Sequence, residues 1–199
     1  MRPHHAVAPA RPRPDGGPPR AFRRLTTAEN KSGAAAPRRS FPPFADQRSR
    51  VLVLGTLPGE ESLRRVQYYA HPRNLFWPIV CALFGEIPPS AYAERVRFLA
   101  SRRIAVWDVC KVGERRASAD ATIRREVPNA IDGLLDDHPG IRAVAFNGSG
   151  ARLLFDRHFA RRPELIYLAL PSTSPAYARL GFTDKLERWS ALRDVLGAE

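Results

Sequence analysis

Four short segments of the chain are apolar almost without interruption: Val51-Leu52-Val53-Leu54, Ile104-Ala105-Val106-Trp107, Ala143-Val144-Ala145-Phe146 and Leu165-Ile166-Tyr167-Leu168-Ala169-Leu170. A strand with one wet face alternates apolar and polar residues, whereas a strand covered on both faces does not need to. Between and after these runs the sequence predicts helices over 59–66, 74–84, 90–100, 128–137, 149–159 and 183–196. Strands alternating with helices imply a mostly parallel sheet with helices on each face. The expected class is therefore α/β: a three-layer α/β/α sandwich around a mainly parallel four-stranded sheet.

Each apolar run ends in a turn-forming or polar segment. These are Gly55-Thr56-Leu57-Pro58-Gly59, Asp108-Val109-Cys110, Asn147-Gly148-Ser149-Gly150 and Pro171-Ser172-Thr173-Ser174-Pro175. In open α/β sheets ligands bind outside the carboxyl ends of the strands, so four loops are expected to meet at one sheet edge.

Charge divides the chain. Of its 199 residues, the first 50 hold 11 of the 32 Lys and Arg, 3 of the 20 Asp and Glu, and 9 of the 19 prolines. Residues 1–47 are expected to form a disordered Pro/Arg-rich basic arm, because they offer few large apolar groups to offset the entropy of ordering. Residues 48–199 are expected to be the folded domain. The arm lacks the apolar stretch of a secretory signal, and its prolines disfavour the amphipathic helix of a transit peptide. No apolar run approaches the length of a membrane span. Cys81 and Cys110 are too few for a disulfide framework or a four-cysteine zinc site, so no metal or other cofactor is expected. A reducing cytoplasm is the expected compartment. Arginine makes up 29 of the 32 basic residues; its planar fork suits phosphate and base stacking, which allows a nucleic-acid partner.

Several common site motifs are absent. Gly55-x-x-x-Gly59 is not followed by Gly-Lys-Ser/Thr, and neither Gly-x-Gly-x-x-Gly nor Gly-x-Ser-x-Gly occurs. The unusual segment is Tyr68-Tyr69-Ala70-His71-Pro72-Arg73-Asn74-Leu75-Phe76-Trp77-Pro78. Two readings of it stand. Either Phe76 and Trp77 are core and Asn74 caps the helix that follows, or Phe76 presents its face to a base with Asn74 hydrogen-bonding beside it.

Taken in order, Gly55-Thr56-Leu57-Pro58-Gly59, His71-Pro72-Arg73-Asn74-Leu75-Phe76-Trp77, Phe146-Asn147-Gly148 and Pro171-Ser172-Thr173-Ser174-Pro175 resemble the uracil-DNA glycosylase superfamily. The Tyr-Tyr-x-His-Pro-Arg-Asn-x-Phe-Trp run is most similar to the hypoxanthine-DNA (deoxyinosine) glycosylase branch. The resemblance covers about 51–190. It implies the small parallel sheet already expected, and a monofunctional enzyme that flips a deaminated base out of single- or double-stranded DNA and hydrolyses its N-glycosidic bond.

Two positions depart from the superfamily pattern. Many relatives carry Asn or Asp where Leu57 stands, and His or Asn where Leu170 stands; neither leucine can position water. The resemblance gives the catalytic role to Asn74 and the base-binding roles to Phe76, Thr56, Leu57 and Pro58. It assigns DNA contacts to Gly59, His71, Arg73, Ser172, Thr173 and Ser174. Asn147 reads a base edge or caps its turn. Asp108 joins the base-binding set by polarising water, or caps the turn after it. His71 donates to phosphate or only to structure. Hypoxanthine is the expected base, and the protein is expected to act as a monomer in the cytoplasm, associated with the nucleoid. The alternatives are a uracil- or mismatch-specific glycosylase, and a catalytically silent nucleic-acid binder.

Overall fold

The computed structural model of the chain describes residues 37–115 and 123–197. Its centre is a four-stranded parallel sheet in the order β3-β2-β6-β7, formed by β2 (Val51–Gly55), β3 (Ile104–Asp108), β6 (Ala143–Asn147) and β7 (Ile166–Leu170). Every residue of β2 and β6, the two inner strands, is buried. Side chains alternate across the pleat. Val51 and Val53 face a core with Phe76, Ile79, Leu99 and Trp189, while Leu52 and Leu54 face a second core with Ile131, Leu135, Leu154 and Phe155. Helix α1 (Glu60–Arg65) follows β2, and the first core is roofed by α2 (Phe76–Ala82), α3 (Tyr92–Ser101), α6 (Phe182–Trp189) and α7 (Ala191–Gly197). The second is roofed by α4 (Ile131–Asp137) and α5 (Ser149–His158). The three-layer α/β/α class is as the apolar runs predict. Burial chiefly pushes the Cys81 thiol up to about 11, so it packs as a small apolar group, as does the buried Cys110.

Some boundaries differ from the sequence reading. Helix α2 starts at Phe76, because the Asn74 Oδ1 accepts the Phe76 N–H at 2.9 Å and holds 74–75 in a turn. Pro78 then falls in the first helical turn, where no N–H is required. The helix expected over 183–196 is two helices. At the break, the Ser190 hydroxyl bonds back to the Glu187 carbonyl at 2.6 Å, a local competitor for the helical ladder. The helix expected from 128 starts at Ile131, after a strand.

That strand belongs to an unforeseen feature, a second, antiparallel sheet of order β1-β4-β5. It comprises β1 (Pro37–Arg39), β4 (Cys110–Glu114) and β5 (Arg124–Pro128), with register shifts between β4 and β5. Its presence corrects the expected arm boundary: residues 37–47 are part of the body. Phe44 exchanges both backbone hydrogen bonds with Val106 at 2.9 Å, covering the free edge of β3. Phe41 and Phe44 set their rings edge-on to Tyr68, with centroids 5.2 and 5.3 Å away. These two aromatics supply the burial that a solvated tail lacks. The rest of the arm, 1–36, lies outside the described residues. No helix among the described residues is long and apolar enough to cross a membrane.

Candidate active site

The carboxyl ends of β2, β3 and β6 and the segment after β7 open into one cavity of about 310 Å³. That volume is near the low end of ligand sites, roughly 300–1,000 Å³, and suits one base-sized group. Segment 68–74 forms one wall, and β4 contributes Arg115 from just beyond its end.

Gly55 lies where strand and site press closest. A Cβ there would come 2.7 Å from Asp108 Oδ1 and 3.2 Å from the Tyr69 hydroxyl, so glycine is required to let these two polar groups meet the backbone. The following Leu57 is only 4% exposed. Its side chain turns into the second core beside Gly113, and its carbonyl accepts from Arg115 Nη1 at 2.8 Å.

Asp108 is buried, with Oδ2 accepting from the Ser40 hydroxyl at 3.1 Å. Ser40 Oγ also lies 3.0 Å from the Phe41 carbonyl, which the Tyr68 hydroxyl reaches at 3.2 Å. A hydroxyl has one proton; with Tyr68 on that carbonyl, the Ser40 proton is left for the carboxylate. Burial first, and the Asp108 charge second, push the Tyr68 hydroxyl far above the usual tyrosine range. It remains a neutral donor. The backbone of Asp108 is fixed by Asn129, whose Nδ2 donates to the Asp108 carbonyl at 2.8 Å.

On the opposite wall, Asn147 spends both ends of its amide on one residue. Nδ2 donates to Thr173 Oγ1 at 2.9 Å, and Oδ1 accepts from the Thr173 N–H at 2.8 Å. The Thr173 carbonyl then accepts from the Leu75 N–H at 3.0 Å, so β6, the 171–175 loop and the start of α2 are tied in series. Gly148, at φ +99°, permits this approach; a Cβ there would sit 2.8 Å from the Ser172 Cβ. Trp189 Nε1 holds the loop's start through the Pro171 carbonyl at 2.9 Å.

Segment 68–74 is shaped by Tyr69, whose φ is +55°. Its ring stacks on Phe76 with centroids 3.9 Å apart and planes 20° from parallel. His71 Nδ1 accepts the Arg73 N–H at 3.1 Å, which puts the proton of the neutral ring on Nε2. Asn74 reaches the cavity with Oδ1 occupied as the turn acceptor.

A family model described as the uracil DNA glycosylase superfamily matches residues 42–193. The chain belongs to this superfamily. It is 40% identical over 115 residues to the hypoxanthine DNA glycosylase of Methanosarcina acetivorans, covering 57% of this chain and 73% of that protein. It is 39% identical over 112 residues to the Methanosarcina barkeri protein of the same name, covering 56% and 71%. A solution NMR structure of an M. acetivorans protein, described as a candidate uracil DNA glycosylase, is similar at TM-score 0.67 and 34% identity. That likeness covers 80% of this chain and 99% of that one.

Within this superfamily member, Thr56, Leu57, Pro58, Gly59, His71, Asn74, Asp108, Asn147, Ser172, Thr173 and Ser174 all border the cavity. Two expected site residues do not. Phe76 is 0% exposed and lies behind Tyr69, so the aromatic face on this wall is that of Tyr69. Arg73 is exposed and outside the cavity. Asn147 and Thr173 meet each other, with both ends of the Asn147 amide engaged between the two loops. Sequence reasoning misses Tyr69, Ser40 and Arg115. Tyr69 is inside the aromatic-rich motif, but nothing in one sequence tells which ring faces outward. Ser40 and Arg115 arrive on the antiparallel sheet, whose pairing leaves no mark in the sequence pattern. Among the described residues, no group of three or more His, Cys, Asp or Glu side chains is placed to hold a metal ion.

Proposed function

We propose that this superfamily member is a monofunctional DNA glycosylase that excises hypoxanthine from deoxyinosine, with Asn74 as its catalytic residue. The observation that carries this reading is the pairing of Leu57 with Asn74. The side chain at the usual polar position is packed into the core, and the amide of Asn74 borders the same cavity from the opposite wall. The names of the M. acetivorans and M. barkeri relatives support the choice of base.

In the reaction the target nucleotide leaves the stack and its base enters the cavity. There it lies against the Tyr69 ring, or against Phe76 once Tyr69 swings aside. An amide is no strong base, but Asn74 Nδ2 can hold water or donate to the purine, while Oδ1 keeps the side chain aimed through Phe76 N–H. The Asp108 carboxylate, a pure acceptor when ionised, suits the N1–H of hypoxanthine and repels the lone pair that adenine carries at N1. His71, Ser172 and Ser174, together with exposed Arg73, meet DNA phosphates around the mouth. Strand cleavage by a Schiff base needs an amine at the sugar; Lys111 and Lys185, the lysines of the described residues, both lie outside the cavity lining. In this reading the protein acts as a monomer on nucleoid DNA.

The test is base release from duplexes carrying deoxyinosine, deoxyuridine or a mismatch. Release of hypoxanthine with an intact, borohydride-untrapped strand is expected. Preferential release of uracil favours the broader glycosylase, and release of none favours a silent binder.

A further inference from the structure

We propose that Arg115 supplies the positive charge that stabilises the departing purine, a role resting on the reading of the chain as a DNA glycosylase. Arg115 is a guanidinium only 5% exposed, yet it borders the cavity. Its Nη1 donates to the Leu57 carbonyl at 2.8 Å and to Thr56 Oγ1 at 3.3 Å. The cation is therefore fastened to the loop whose side chain is alkyl, and it reaches that loop from a different sheet.

The chemistry calls for such a group. When the C1′–N9 bond breaks, its electron pair stays with the purine, which departs as an anion. A water oxygen bonds to C1′, and the proton that water gives up ends on the released hypoxanthine, leaving the abasic sugar. Charge thus builds on the base in a cavity that holds the buried Asp108 carboxylate, which opposes it. The other two carboxylates on the rim are engaged outward: Glu60 with Arg38 at 2.7 Å, and Glu61 with Arg64 and Arg65. The neutral amide of Asn74 cannot balance an anion alone. A guanidinium, charged at every working pH and pinned before the reaction starts, does so without reorganisation. Arg115 also explains how an enzyme with Leu57 tolerates the loss of a polar side chain: the loop keeps its shape through its carbonyl, and the electrostatic contribution comes from β4.

The experiment is single-turnover excision from a deoxyinosine duplex by Arg115→Gln, Arg115→Ala and Arg115→Lys, beside the affinity of each for abasic-site DNA. Arg115→Gln should lose about 10²–10³ in rate while binding abasic-site DNA within about threefold of wild type. Millimolar guanidinium should raise the rate of Arg115→Ala where sodium at equal ionic strength does not, and Arg115→Lys should retain more rate than Arg115→Gln. Wild-type rates in Arg115→Gln overturn the proposal. So does a loss that guanidinium leaves unchanged and that unfolding of the variant accounts for, since Arg115 would then be only a tie for the loop. Failure of the wild-type protein to release hypoxanthine is a separate result, and counts against the reading of the substrate.

Discussion

The parallel and antiparallel sheets serve the same cavity by different physical means. The parallel sheet is dry at its centre: β2 and β6 are buried along their whole length, and at the site the sheet contributes turns at strand ends and the buried side chains of Asp108 and Asn147. The antiparallel sheet is wet, with β1 and β5 largely exposed, and it contributes polar side chains, Ser40 from beyond β1 and Arg115 from beyond β4. The first fixes where a ligand sits and brings the Asp108 carboxylate; the second adds the Arg115 guanidinium and the hydroxyl that holds Asp108. Burial makes the first rigid, while the second depends on a few aromatic anchors, chiefly Phe41 and Phe44.

The comparison breaks most sharply at the N-terminus. Deleting residues 1–47 removes β1, Ser40 and both phenylalanines, and should cost about 3–5 kcal/mol or more, the range for losing one well-packed Phe. Deleting 1–36 removes seven basic and two acidic residues and should leave the denaturant midpoint unchanged. Its expected effect is a shallower salt dependence of DNA binding, by about 0.9 in log–log slope for each phosphate that the arm neutralises. Equal midpoints for the two truncations would return 37–47 to the arm.

On the parallel-sheet side, Asn74→Ala tests the chemistry. Loss of one preorganised donor should lower single-turnover deoxyinosine excision by about 10²–10³, or roughly 3–4 kcal/mol. Loss of the Phe76 N–H acceptor adds about 1 kcal/mol of instability. A rate within about threefold of wild type, far short of that loss, would leave Asn74 as a turn anchor alone and move attention to Asp108.

Asn147→Ala separates positioning from direct recognition. Thr173, 0% exposed, would lose the partners of its hydroxyl and N–H, at about 1–3 kcal/mol of stability. Because Thr173 also holds Leu75, excision should fall with slower chemistry, while the affinity for abasic-site DNA stays near that of wild type. An unchanged rate with an unchanged midpoint would deny Asn147 any role as a clamp.

What is legible in the sequence follows the same division. Runs such as Val51–Leu54 announce themselves because double-sided burial forces apolar side chains at consecutive positions, and their loops are then placed by topology alone. Residues 110–114 and 124–128, Cys-Lys-Val-Gly-Glu and Arg-Arg-Glu-Val-Pro, carry no such mark. One face is solvent, the pairing is irregular, and the third strand comes from about 75 residues away. In the sequence, Arg115 therefore looks like one more solvated charge among Lys111, Glu114 and Arg116. Phe76 leaves two readings open for the reverse reason: an aromatic beside a polar motif can be a stacking face or core, and only packing shows that Tyr69 covers it.

The smallest expected effect is that of Ser40→Ala, and it probes the seam between the sheets. Ser40 lies just past β1, and its hydroxyl joins the antiparallel sheet to the Asp108 carboxylate at the end of β3. Removing it deletes one hydrogen bond at a site bordering an open cavity, where water can take its place, so the net cost in stability should be about 1 kcal/mol. If Asp108 meets the base, the poorer aim should lower excision by less than about tenfold, within 1.4 kcal/mol. It should also narrow the preference for deoxyinosine over deoxyadenosine, because a carboxylate held less firmly repels the adenine N1 less consistently. Ser40→Thr keeps the hydroxyl and should restore both. If Ser40→Ala changes stability while rate and preference hold, Asp108 is a turn anchor shared by two sheets, and the base is read elsewhere in the cavity.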